Sequence, residues 1–192
     1  ISSVQFNGQT VNAPTTDFYG NLRPAPDGSN PDMGATENVL SIRGNITYTV
    51  DQNGSGEYIT IQAAIDDDIV IDGDTVLVQP GTYVENINYN GKNIVVHGED
   101  RETTIIDGYD SASVVIFNNG ENNTAHLRGF TLTNGLPNGP WPASRGGGIN
   151  CQHASPTLSN LLITGNSSTN GGGGIYLFNG SDAKITDVII KD

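Results

Sequence analysis

The sequence predicts an all-β fold, a right-handed parallel β-helix with a short helix capping its N-terminal end. Three observations carry this prediction. Twenty-five glycines, nine prolines and only 15% charged residues among 192 describe a chain of many turns rather than a helical bundle. Three segments repeat: "HLRGFTLTNG" from His126, "TLSNLLITGN" from Thr157 and "KITDVIIKD" from Lys184 align at spacings of 31 and 27 residues. Within each segment apolar and mixed residues alternate, which is the period of a strand. Handedness follows from the strong preference of parallel crossovers.

The repeat sets Leu127, Leu158 and Ile185 in one column, Phe130, Leu161 and Val188 in a second, and Leu132, Ile163 and Ile190 in a third. Units this short cannot bury an apolar face alone. Stacked about 4.8 Å apart, they share one core and satisfy their backbones in parallel ladders. The remaining elements follow in order. "YITIQAAIDDDIVI" from Tyr58 has the best helical spacing in the chain, with Ile61, Ala64 and Ile65 on one side. It is expected to be the helix that covers the open end of the coil, where bare rungs expose apolar surface and unpaired edges. "DTVLVQPG" from Asp74, "KNIVVHG" from Lys92, "ETTIIDG" from Glu102 and "SVVIFNNG" from Ser113 are short β-branched runs bounded by Gly, Asn and Asp, hence strands. "GGGINCQ" from Gly146 and "GGGGIYLF" from Gly171 pair Ile149 with Ile175 at a spacing of 26, with glycines suited to tight corners. Residues 46–192 are therefore read as the β-helix.

Within Val50 to Gly108, "GSGEYITIQAAI", "GDTVLVQPGTYVENI" and "TTIIDG" resemble the start of right-handed parallel β-helix proteins of the pectin-lyase-like superfamily. The later Gly-rich rungs extend the likeness to Asp192. "DFYGNLRPAPDGSNPDMGATEN", Asp17 to Asn38, is similar to the closing element of bacterial surface proteins of the choice-of-anchor Q kind. The matching residues are Asp17, Gly20, Asn21, Arg23 and Pro24, then Pro31, Asp32, Gly34, Ala35 and Glu37. The resemblance implies that residues 1–45 are the cap-like end of a preceding or neighbouring β-helix plus a linker, and that the β-helix of residues 46–192 is open at its C-terminal end. It implies an extracellular or cell-surface location. It also implies partners that are neighbouring copies or adjacent β-helix units of the same protein, and head-to-tail contacts of this kind propagate as a fibre.

Eight basic residues against 21 acidic ones give a net charge of −13, with no basic cluster along the chain. That balance disfavours nucleic acid and anionic lipid as partners. No apolar run reaches transmembrane length, so direct membrane insertion is not expected. Cys151 is the single cysteine, which rules out an intrachain disulfide and a multi-cysteine zinc site. The three histidines, His97, His126 and His153, have no metal-ligand spacing, and the acidic group from Asp66 to Asp74 reads as a solvated face.

The resemblance also implies polysaccharide as a ligand class. A pectin-esterase relative needs two carboxylates and an arginine on its central rungs, and the family's Gln-Ala-Val, Asp-Phe-Ile-Phe-Gly and Gly-Arg-Pro-Trp elements have no counterpart here. A lyase relative needs a basic residue beside a bound carboxylate; Arg128 lies on a strand where it could point outward, but it aligns with Ser159 and Thr186 and no Asp cluster stacks beside it. The expectation is a non-catalytic structural or adhesive module of a large extracellular bacterial protein. The alternative is a carbohydrate-active lyase or esterase relative, or a glycan-binding module. Trp141, the only tryptophan, stands with Arg145 in the insertion "LPNGPWPASRGG". Two readings of it stay open: it stacks on a sugar ring beside Arg145, or it folds back over the coil. Calcium is the one cofactor suggested, because Asp51, Asn53, Ser55 and Glu57 set oxygens at alternate positions, as the first half of a calcium loop does. Position twelve of that pattern is Gln62 where a bidentate Glu is required, so it is not an EF-hand.

Overall fold

The structure, a computed structural model, describes residues 44–140 and 144–191, together with two short strands near the N-terminus. The chain divides into two compact units, Ile1–Gly44 and Asn45–Asp192. In the first, β1 (Ser3–Phe6) and β2 (Gln9–Asn12) pair antiparallel. The anchor-like elements between Asp17 and Glu37 lie outside the described residues.

The second unit is a parallel β-solenoid of about five turns. Its first face stacks β3 (Thr47–Val50), β4 (Thr75–Val78), β7 (Val95–Gly98), β10 (His126–Thr133), β12 (Thr157–Thr164) and β14 (Lys184–Lys191) in that order. A second face runs from β5 (Gly81–Val84) through β8 (Thr104–Asp107) onto the latter half of β10, and continues in the latter halves of β12 and β14. The third face is β6 (Ile87–Asn88), β9 (Val115–Phe117), β11 (Ile149–Gln152) and β13 (Ile175–Phe178). The registers are those the repeat predicts: Leu127 opposes Leu158, which opposes Ile185, and the Phe130 and Leu132 columns follow suit. Ile149 opposes Ile175.

The long strands bend from the first face to the second at one position in each turn. Gly129, Asn160 and Asp187 occupy that corner in successive strands, with φ of 77°, 50° and 52°. Asn and Asp tolerate this left-handed conformation. Gly129 answers a further demand, since a methyl group there would collide with the carbonyl of Gly98 on the neighbouring turn.

The predicted helix is α1 (Ile61–Asp66), and Ile61, Ala64 and Ile65 are its buried residues. It does not precede the strands as the sequence order suggested: β3, too short and polar to stand out, comes first, and α1 packs after it. Six residues make a poor helix alone, so its stability comes from packing and capping. Thr60 accepts from the Ala63 amide, and the Glu85 carboxylate, one turn further along, accepts from the amides of Ile61 and Gln62 at 2.9 Å each.

Side chains also close the bare edges at this end. Glu57 accepts from the Thr49 amide of β3 at 2.7 Å, and Gln52 donates to the Thr82 carbonyl of β5 at 2.6 Å. Gln62 does both for β6: its Nε2 donates to the Asn88 carbonyl and its Oε1 accepts from the Asn88 amide. A primary amide has one donor side and one acceptor side, as a peptide group has, so Gln62 stands in for a strand that is not there.

Candidate functional site

The outer surface of the third face carries a cleft beside a stacked aromatic pair. Inward positions of β9 and β11, among them Val115, Phe117, Ile149 and Cys151, are fully buried. The alternate positions face outward and stack by register: Asn88, Ile116, Asn150 and Tyr176 form one column, and Gln152 opposes Phe178 in the next. On one side the chain from Ser111 to Ser113 and from Pro137 to Gly139 rises over this surface. Between them lies a cleft of about 300 Å³, lined by Ser111, Ile116, Asn118, Asn138, Asn150 and Gln152 among others. This is the lower end of the range for small-molecule sites.

The polar lining is held in place. Asn150 Oδ1 accepts from Gln152 Nε2 at 2.9 Å, and Asn118 Oδ1 accepts from Asn88 Nδ2 at 3.4 Å. The first bond joins neighbours on one face of β11, and the second spans two turns, because each turn sets its outward residues above those of the turn before. On the next strand Tyr176 and Phe178 oppose the lining residues Asn150 and Gln152, and their rings lie nearly parallel, 5.9 Å apart. Arg145 lies with its guanidinium carbon 5.0 Å from the Tyr176 ring centre, and its Nη1 donates to the Tyr176 hydroxyl at 3.3 Å. Its Nε–H is buried and has no acceptor among the described residues. A row of amides and hydroxyls beside a cationic and aromatic edge matches sugar hydroxyls on one side and apolar sugar-ring faces on the other.

Of the residues singled out from the sequence, Arg145 stands at this surface, and Trp141 lies outside the described residues. Asp51, Asn53, Ser55 and Glu57 lie at the other end of the coil. Asp51 closes a local turn, accepting from the Asn53 amide and from the hydroxyl of Ser55, and these bonds hold its carboxyl below the usual range. Glu57 is engaged separately, on the Thr49 amide, which lowers its carboxyl likewise. The four oxygen-bearing residues thus have internal hydrogen bonds in the described structure. Among the described residues, no three of His, Cys, Asp and Glu cluster closely enough to hold a metal ion.

Arg128 points outward from the first face, aligned with Ser159 and Thr186 as read, and opposite His97. Tyr176, Phe178, Asn118, Asn150 and Gln152 were not read from the sequence. The only signal for them was the 26-residue spacing between the two Gly-rich segments, which sets Asn150 against Tyr176 once Ile149 is paired with Ile175.

The chain matches the Chlamydia polymorphic membrane protein repeat over residues 160–177. That span covers the corner Asn160, the end of β12, the glycine run and most of β13, which carries Tyr176. No curated protein matches the chain. Among the described residues no helix is long and apolar enough to cross a membrane. The repeat match and the parallel solenoid together fit a β-helix protein of the bacterial-surface type.

Proposed function

We propose that this chain is a non-catalytic adhesive module displayed outside a bacterial cell, a stiff β-helix that holds neutral polysaccharide along its third face. One observation carries the reading: the strand beside a cleft lined by amide and hydroxyl side chains sets the stacked pair Tyr176 and Phe178 opposite the lining residues Asn150 and Gln152, with Arg145 over the Tyr176 ring. Sugar rings stack on aromatic faces, while their hydroxyls exchange hydrogen bonds with Asn and Gln as readily as with water. A net charge of −13 favours uncharged over acidic glycans at a surface without a bridging cation. The Chlamydia repeat match supports the surface location.

Calorimetric titration with neutral cello-, manno- and xylo-oligomers tests this. One series should bind, and removing both rings with Tyr176→Ala and Phe178→Ala should weaken it about tenfold, as the loss of roughly 1.4 kcal/mol requires. No binding across the series, or binding indifferent to both rings, sinks the reading; release of shortened or unsaturated products would favour a carbohydrate-active enzyme instead.

The same reading takes adjacent β-helix units as partners, because among the described residues β14 is the outermost strand of its sheet and Ile185, Ile189 and Ile190 lie exposed on it. A sedimentation coefficient that rises with concentration supports it, and one that stays constant at monomer size overturns it.

A further inference from the structure

A basic cluster stands on the outer side of the first face, apart from the cleft. Register brings His97 of β7 opposite Arg128 of β10, with His126 two residues earlier on β10 and Ser159 after Arg128 on β12. All four are half-buried. Arg128 Nη2 lies 3.1 Å from His97 Nδ1, and His126 Nε2 lies 2.7 Å from Ser159 Oγ. A guanidinium has no lone pair to offer, so His97 Nδ1 is the acceptor and the imidazole is neutral, with its proton on Nε2. The buried Nε–H of Arg128 has no acceptor among the described residues. The other charged groups acting on these rings are Lys184 of β14, on His126, and Glu99 after β7, on His97. In a chain this acidic, a guanidinium and two imidazoles therefore stand together on one face.

We infer that this cluster is a proton-coupled oxyanion site, at which a sulfate or carboxylate group binds Arg128 together with the protonated imidazoles of His97 and His126. A proton arriving at His97 Nδ1 destroys the bond to Arg128 and sets two cations side by side. Burial, and then the nearby Arg128, hold both imidazoles below the usual value in the free protein. An oxyanion between the rings and the guanidinium accepts from the released Nη2–H, from the new Nδ1–H and, after rotation of the side chain, from Nε–H. Proton and anion then favour each other's binding by the same factor. Ser159 supplies a hydroxyl at the rim that can turn from acceptor to donor as His126 charges. This site is independent of the cleft and of what the cleft holds.

Histidine ring-proton NMR of the chain, titrated in sodium sulfate and in sodium chloride at matched ionic strength, tests it. Sulfate should raise the midpoints of His97 and His126 by roughly half a unit or more while leaving His153 in place. Arg128→Gln, which keeps a donor for His97, should abolish the sulfate-specific rise. Midpoints that move equally in both salts, or a rise that survives Arg128→Gln, overturn the site. Short sulfated and uronic oligosaccharides form the second arm. Tighter binding of either than of inorganic sulfate identifies a polymer-borne group as the ligand, and equal binding identifies the free ion; both outcomes uphold the site.

Discussion

The first and last described windings of the solenoid differ in how their apolar residues are covered. At the first end Val50, Ile61, Ala64, Ile65 and Val70 are fully buried, and all three faces have their outer edges occupied by the side chains of Glu57, Gln52 and Gln62. At the other end Ile185, Ile189 and Ile190 of β14 are 45–55% exposed. The column that begins with Tyr48, Val76, Val96, Leu127 and Leu158 in the interior finishes in the open at Ile185. The same residue type in the same register is therefore core or surface according to whether another layer lies over it. Burial in a solenoid is contributed by neighbours, not by the strand itself.

Three measurements sharpen this contrast. The largest effect is expected from an aspartate placed at equivalent depth in each end. Ile65→Asp buries an unpaired charge and should cost more than about 4 kcal/mol in urea unfolding, whereas Ile190→Asp should stay within about 0.5 kcal/mol. Comparable losses from both would erase the distinction between the ends.

Glu85→Ala comes next. It leaves the first amides of α1 without their carboxylate and should destabilise by roughly 2 kcal/mol, with Glu85→Gln, which retains one acceptor, losing about half as much. Faster hydrogen exchange at Ile61 and Gln62, with none at β14, would locate the effect at the closed end.

The smallest is a pH effect. Tyr58 donates to Asp67 at 2.9 Å, and burial followed by that bond pushes its phenol up to about 12. The unfolded phenol ionises near 10, so the unfolded chain releases its proton first. The stability this contact contributes is present below about pH 10 and is lost as the pH rises towards about 12. Tyr58→Phe should remove that part of the alkaline slope, and an unchanged slope would show that the Tyr58–Asp67 contact does not link to folding.

Much of the fold was legible because inward positions are constrained twice, by the alternation within a strand and by the repeat between turns. Phe130, Leu161 and Val188 satisfy both, and their register could be read directly. β3 escaped because its four residues, Thr47 to Val50, lack a boundary signal and belong to no clear repeat. The cleft escaped for a different reason. Outward residues such as Asn118, Gln152 and Phe178 face solvent, where packing does not dictate residue type, so no periodicity marks them. Arg145 was legible only as a charge near a tryptophan. Its ring partner, Tyr176, is 31 residues away and became its neighbour through the winding of the chain. Alternating oxygens from Asp51 to Glu57 are common to a cation loop and to a turn closed by its own carboxylate, and the sequence does not separate the two.

The Gln62 amide, held between the donor and acceptor of Asn88, gives the molecule a polarity of growth. Whole windings can be spliced into the middle by copying a segment of about 26 to 31 residues whose corners already match. A winding stacked ahead of β3 has to displace the side chains of Glu57, Gln52 and Gln62 from the strand edges they occupy. Duplication of a middle winding therefore leaves those three contacts untouched, whereas stacking at the β3 end breaks all of them.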